Sequence, residues 1–281
     1  MADAGNATSD TQDYPLGYSA QEAQRLADQA AVVEDLTQDV FRRAGVRPGM
    51  HVLDIGSGVG DVSLLLGRMV GSEGTVLGVE KASSSVEAAR SRVADLGIRN
   101  IFFVECDLAE FATDRKFDAI AGRFVLSYVP DRAEILRRLA RHLGPGGIMA
   151  FLEIDMSEIS QVPTSELFLQ ARRLLLEGFA AGGAELDMGT KLYPTFLRAG
   201  LPAPNMSAAT PVVSGPDSEA YEDMVKVLRS LLPMIERSAI ANIGEIDIDT
   251  LADRLRADAA ANDRIVFMSR IVGAWTRYTA L

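Results

Sequence analysis

His51-Val52-Leu53-Asp54-Ile55-Gly56-Ser57-Gly58-Val59-Gly60-Asp61 is the stretch whose reading decides the fold. Its first half is an apolar run broken by one carboxylate, and its second half places glycine at every other position. Val62, Leu65, Leu66 and Met69 then recur at helical spacing. The pattern predicts a buried strand, a glycine-rich turn and a helix, which together present backbone N–H groups and a positive helix end to a ligand.

The spacing of the glycines bears on which ligand. A dinucleotide fingerprint needs glycine at its first, third and sixth positions, so that a pyrophosphate can approach the helix. Here the sixth position is Asp61, which would repel phosphate. The G-x-G-x-G spacing instead resembles motif I of the class I S-adenosylmethionine (SAM)-dependent methyltransferases. That resemblance implies SAM as cofactor, with Asp54, Gly56, Ser57 and Gly58 among its contacts. SAM carries an ammonium and a sulfonium and no phosphate, so an acidic crevice suits it.

Upstream, residues 1–17 are polar and aperiodic and are expected to form a mobile tail. Ser19 and Glu22 have capping-box spacing, and Leu26, Ala30, Val33, Leu36 and Val40 continue a helix to Ala44-Gly45. Residues 18–45 therefore read as a helical lid. Arg25 and Gln29 share one face of it, with Tyr18 just ahead; they either reach the methionine end of the cofactor or form an ordinary solvated face.

Downstream, Gly74 to Glu80 is a second strand ending in an acid, and Glu80 stands 20 positions after Gly60. An acid at that offset accepts from ribose hydroxyls in nucleoside-binding sheets. Lys81 is placed on the adenine side. Ile101–Glu105 is the third strand, and Asp107 with Leu108 resembles the family's adenine contact; Asp107 also suits the N-cap of a short helix near 109–112. Cys106 reads as a small buried filler.

Phe117 to Gly122 is the fourth strand and runs into Arg123-Phe124. Arg123 either meets the cofactor carboxylate or makes a structural ion pair. The Asn/Asp-Pro-Pro-aromatic sequence of base-methylating relatives is not found there, which leaves small molecules as acceptors. Asp131 and Glu134 cap the next helix, with Gly144-Pro145-Gly146-Gly147 expected to end it, and His142 on its solvated face. The fifth strand, Ile148–Ile154, brings Glu153 and Asp155 to the cleft. With Tyr18 these are the candidates for a general base.

Strand and helix alternate five times between His51 and Asp155, which indicates a doubly wound α/β sheet with its ligand beyond the carboxyl ends of the strands. Helices are expected over Leu167–Ala180, Leu186–Ala199 and Asp249–Asp258, and a longer amphipathic segment, Ser218–Ala241, is interrupted at Pro233. Asn205–Val213 reads as a strand and Ile265–Trp275 as the final one. The resemblance implies seven strands, the seventh antiparallel, and helical cap insertions. The implied organisation is a core over 46–156, a cap insertion over 157–204, and the last strands with a helical insertion over 205–281. Phe168, Leu175, Phe179, Met188, Tyr193, Met224 and Met234 either line an apolar pocket or pack the cap.

With 39 acidic and 28 basic residues in 281, the net charge is −11, and no dense basic block offers a face for nucleic acid. Cys106 is the single cysteine, so neither an internal disulfide nor a Cys-rich zinc site can form, and a reducing cytoplasm fits. No stretch reads as a signal peptide or a membrane span, no metal site is expected, and a homodimer is left open. The function this implies is methyl transfer from SAM to a largely apolar small molecule in specialised metabolism. The alternatives are a SAM-binding protein that guides a rearrangement or cyclisation, and an NAD(P)-dependent oxidoreductase.

Overall fold

A strand buried on both faces reads as an unbroken apolar run, and its side chains still alternate strictly between the two faces. The computed structural model describes residues 33–215, 220–238 and 246–278. Helix α1 (33–44) leads into β1 (His51–Ile55), α2 (Asp61–Val70), β2 (Thr75–Glu80), α3 (Ser83–Asp95), β3 (Ile101–Glu105), β4 (Phe117–Arg123), α4 (Arg132–Ala140) and β5 (Leu143–Asp155). Then follow β6 (Ser160–Val162), α5 (Glu166–Ala181), α6 (Met188–Arg198), β7 (Asn205–Ala209) and β8 (Val212–Ser214). Helices α7 (Ala220–Arg237) and α8 (Ile248–Ala261) and strands β9 (Ile265–Phe267) and β10 (Arg270–Arg277) complete the described chain.

Seven strands form one sheet in the order β3-β2-β1-β4-β5-β10-β7, with β10 antiparallel to both neighbours. This is the expected doubly wound sheet with an antiparallel seventh strand. The order reverses between β1 and β4, and at such a switch point the connections leave in opposite directions and open a crevice. On one face, Val52, Ala119, Ala121 and Ile148 meet Phe41, Leu65, Leu66 and Val86 of α1, α2 and α3. On the other, Leu53, Ile120, Met149 and Phe151 meet Leu136, Leu192 and Phe196 of α4 and α6. Helix α6, expected within the cap insertion, thus packs on the sheet, against β5 and β10.

The cap is a third cluster. Phe168, Leu175 and Phe179 of α5, Tyr221, Leu228 and Leu231 of α7, and Leu251 and Leu255 of α8 bury one another, together with Val266 of a small sheet ordered β6-β9-β8.

Several expected details differ. The final run is two strands in two sheets, broken at Met268-Ser269, and 205–213 is likewise divided between β7 and β8. Helix α7 continues through Pro233 because its buried stripe, from Tyr221 to Ile235, outweighs one lost backbone bond. Pro233 itself is exposed, so the carbonyl it leaves unpaired can reach water. Residues 144–147 begin β5 rather than ending α4, since Leu143 already pairs with Phe117. Residues 108–110 form a turn instead of a helix, in which the Ala109 N–H donates to Asp107 Oδ1 at 2.7 Å. His142 is half-buried, with its ring edge-on to Phe111 at 5.6 Å, and burial lowers its pKa.

Helix α1 sits where a side chain would not fit. A Cβ at Gly273 of β10 would lie 2.5 Å from Val40 Cγ2. Gly273→Val is therefore expected to push α1 off the sheet and lower stability by about 1–3 kcal/mol, read as a lower thermal midpoint. An unchanged midpoint would contradict this packing.

Candidate functional site

The β1–α2 turn is built from three alternate left-handed glycines: Gly56, Gly58 and Gly60 have φ of 62°, 52° and 92°. Two of them do different work. A Cβ at Gly56 would lie 2.5 Å from Val125 Cγ2, so this glycine lets the β4–α4 segment close over the turn. A Cβ at Gly58 would meet nothing within 4 Å, so this glycine borders open space. That space is a cavity of about 1230 Å³ at the carboxyl edge of the sheet.

One end of the cavity is lined by Gly56, Ser57, Gly58, Glu80, Lys81, Asp107 and Leu108, and Arg123 also faces it. The structure thus brings together all the expected contacts in the described core except Asp54. Glu80, closing β2, accepts from the Gly58 N–H at 3.1 Å and the Ala82 N–H at 2.9 Å, so it fixes the turn it faces. Asp61, the first residue of α2, pairs with Arg92 at 2.9 Å. Cys106, half-buried rather than a core filler, lines the cavity edge.

Asp54 lies beneath the turn. Alternation along β1 points it to the same face as Val52, toward α2, where Ser63 Oγ donates to its Oδ2 at 2.6 Å. It is 1 % exposed, and burial raises its pKa from 3.8 to about 7. Its Oδ1 and the hydroxyl of Ser57 are buried without a hydrogen-bond partner among the described residues. Such orphans are costly inside a protein unless a ligand completes them. A cationic, phosphate-free nucleoside suits this turn: acceptors are left over and there is room at Gly58.

Arg123 extends from β4 on the same face. It donates to Thr37 Oγ1 of α1 at 3.1 Å and stacks over Phe124 at 5.7 Å. Burial pulls its pKa down, while Asp61 and Asp54 act the other way. No carboxylate lies within ion-pair distance of it among the described residues. Tyr18, Arg25 and Gln29, with the Ser19/Glu22 cap, lie outside the described residues.

Glu153 and Asp155 do not reach the cavity, which corrects their placement as candidate bases. Both lie on the α4/α6 side of β5. Glu153 accepts from the N–H groups of Val125 and Leu126 and from Ser127 Oγ, and it is fully buried. Asp155 accepts from the Thr190 N–H at 3.1 Å and pairs with Arg270 at 3.0 Å.

Toward the cap the wall turns apolar, with Met156, Ile159, Leu175, Phe179, Met224 and Met268. Of the pocket candidates, Leu175, Phe179 and Met224 line the cavity. Phe168 and Met188 are buried in cores, Tyr193 is 45 % exposed, and Met234 lies away from the cavity. Sequence reasoning missed Val125, Thr37, Ile159, Met268 and Ser269. The polar break at Met268-Ser269-Arg270 was the available signal for the last two.

Glu80→Ala removes the acceptor for the Gly58 N–H, and hydrogen bonds to charged groups are worth about 1.5–3 kcal/mol. It is expected to weaken SAM binding tenfold or more in calorimetry while costing little in thermal midpoint. A large loss of midpoint at unchanged affinity would overturn the assignment of Glu80 to the ligand.

A family described as "Methyltransferase domain" matches residues 47–199, more than half of the chain. The ubiquinone/menaquinone biosynthesis C-methyltransferase UbiE of Cellvibrio japonicus is 35 % identical over 160 residues, covering 51 % of this chain and 64 % of the relative. The protein of the same name from Pseudomonas putida GB-1 is 31 % identical over 175 residues, covering 57 % and 66 %. The chain thus spans less than two thirds of the length of these curated relatives. Among solved structures, the YcgJ protein of Bacillus subtilis has a TM-score of 0.57 at 16 % identity over 88 % of this chain and 100 % of that one. Phosphoethanolamine N-methyltransferase 2 of Haemonchus contortus, in complex with S-adenosyl-L-methionine, has a TM-score of 0.52 at 17 % identity, covering 85 % and 52 %. At these identities the likeness to the solved structures is one of fold.

Proposed function

The chain belongs to the SAM-dependent methyltransferase domain family, and from that premise we propose that it transfers a methyl group to a small, largely apolar acceptor held under the cap. The observation that carries this is the continuity of the cavity. At about 1230 Å³ it runs without a wall from Gly58 to Met224, more than the roughly 300–1,000 Å³ of a pocket for one drug-sized ligand. That volume leaves room for an acceptor beside the cofactor, with the polar lining at one end and the apolar lining at the other.

When bound, SAM supplies an electrophilic methyl group on a positively charged sulfur. The protein's part is to hold and to exclude. Glu80 would hold the ribose while it fixes the turn, Asp107 and Leu108 would hold the base, and Arg123 would meet a ligand carboxylate. Asp54, beneath the turn, would act on the cofactor's positive charge from behind Gly56 and Ser57. The apolar wall keeps water from the acceptor, and alignment alone contributes about 7–11 kcal/mol to such a displacement. Its relatives' name favours carbon as the acceptor atom. We assign the protein to the cytoplasm, on its single cysteine and acidic charge, and to specialised metabolism.

Incubation of the purified protein with methyl-labelled SAM and a cell extract tests this reading. Label in a low-molecular-weight product together with S-adenosylhomocysteine is expected. Binding without transfer would assign the chain to the non-methylating class, and tighter binding of NADH than of SAM would overturn the cofactor assignment.

A further inference from the structure

Glu153 is buried near the carboxyl end of β5, and among the described residues every one of its side-chain bonds goes to a single segment. Its Oε1 accepts the Val125 N–H at 3.0 Å and the Leu126 N–H at 2.7 Å, and its Oε2 accepts Ser127 Oγ at 2.9 Å. That segment is strained at its start, because Phe124 has φ of 58° without being glycine. A conformation of this kind costs about 1–3 kcal/mol and persists only where its surroundings over-determine it. The same segment forms part of the cavity wall. Val125 presses on Gly56 of the glycine turn, and Tyr128, Val129 and Pro130 line the cavity beyond it. Outside the segment, Arg132 Nε donates to Leu126 O at 2.8 Å and the Glu185 N–H donates to Ser127 O at 2.9 Å, so the turn is fastened on its far side as well.

We propose that Glu153 is a positioning residue for the cofactor site: through the 125–127 backbone it sets how closely Val125 approaches Gly56 and where Tyr128 stands in the cavity wall. This inference rests on the methyltransferase reading. A carboxylate is suited to the task because one of its oxygens can accept two diverging N–H groups while the other takes a hydroxyl, and each charge-assisted bond is short. A buried charge with no ligand contact is expensive, and a well-packed apolar residue would serve a purely structural role more cheaply.

The test uses the full chain and two replacements. Glu153→Gln keeps a carbonyl oxygen for the Val125 and Leu126 N–H groups. Glu153→Leu keeps a similar volume and no acceptor. Calorimetry with SAM and with S-adenosylhomocysteine is read beside the thermal midpoint. Glu153→Gln is expected to bind within about threefold of wild type, and Glu153→Leu to bind at least tenfold more weakly at a temperature where circular dichroism shows it folded. Where the leucine variant does not fold, Glu153→Ala, refolded at low temperature, is read in its place and is expected to bind at least tenfold more weakly than Glu153→Gln. A folded leucine or alanine variant with wild-type affinity would overturn the inference. Failure of wild type itself to bind would instead overturn the methyltransferase reading.

Discussion

Gly58→Val is expected to reduce SAM affinity more than a hundredfold, the largest effect of any single change at the site. The space beside this residue is open, and beyond its chain neighbours none of the described residues comes within 4 Å of an added Cβ, so the two γ-methyls of valine would stand where the ligand is expected. The substitution also carries a conformational cost, since φ at 58 is +52° and a β-branched residue tolerates that region poorly, at about 1–3 kcal/mol. Strain and blockage can be told apart. Gly71, which caps α2 away from the cavity, has φ of +67° and equally open surroundings. Gly71→Val is expected to lower the thermal midpoint by a similar amount and to leave affinity unchanged. Wild-type affinity in Gly58→Val would mean that the glycine turn does not border the ligand.

Asp54→Asn is expected to stabilise the ligand-free protein at pH 8 while weakening SAM binding by tenfold or more. Burial raises the Asp54 pKa from 3.8 to about 7. A carboxyl whose folded pKa lies above its unfolded value contributes stability that is fully present below pH 3.8 and is lost as pH rises through about 7. At about 1.4 kcal/mol per pH unit, the ionised side chain costs the ligand-free fold about 4 kcal/mol at pH 8. Asparagine removes that cost and keeps an oxygen for Ser63, but its amide nitrogen takes the place of the partnerless Oδ1 and costs about 1–3 kcal/mol in turn. The net expectation is a gain of about 1–3 kcal/mol at pH 8 that shrinks toward pH 4.

Affinity should move the other way. A cation prefers the ionised carboxylate, so wild-type affinity is expected to rise with pH up to about 7 and then level, and the variant's profile to be flatter. Glu153, also raised to about 7 by burial, is present in both proteins and cancels in the comparison. Thermal melts and calorimetry between pH 5 and pH 8 read both effects. A variant less stable at pH 8, with unchanged affinity, would remove Asp54 from the site.

The parts of the fold set by local chemistry were legible in the chain. The alternation from His51 to Asp155 and the glycine turn specify the sheet and the cofactor edge, because each depends on residues close in sequence. The side to which a carboxylate points was not. In Ile148–Ile154 every position is apolar up to Glu153, so a strand buried on both faces carries no mark of which face is which. Only packing shows that Glu153 shares the side of Met149 and Phe151 and turns to the 125–127 segment instead of the cleft. The cap was hidden for a different reason: its small sheet pairs β6 with β9 and β9 with β8, segments some fifty to a hundred residues apart. Each is three residues long, too short for periodicity to register.

Titration calorimetry of the wild-type protein with SAM, and separately with S-adenosylhomocysteine, tests the central claim most directly. Saturable binding of one molecule per chain is expected for each ligand, weakened by Gly58→Val and retained in Gly71→Val. Absence of heat with both ligands, from protein shown to be folded by circular dichroism, would contradict the account.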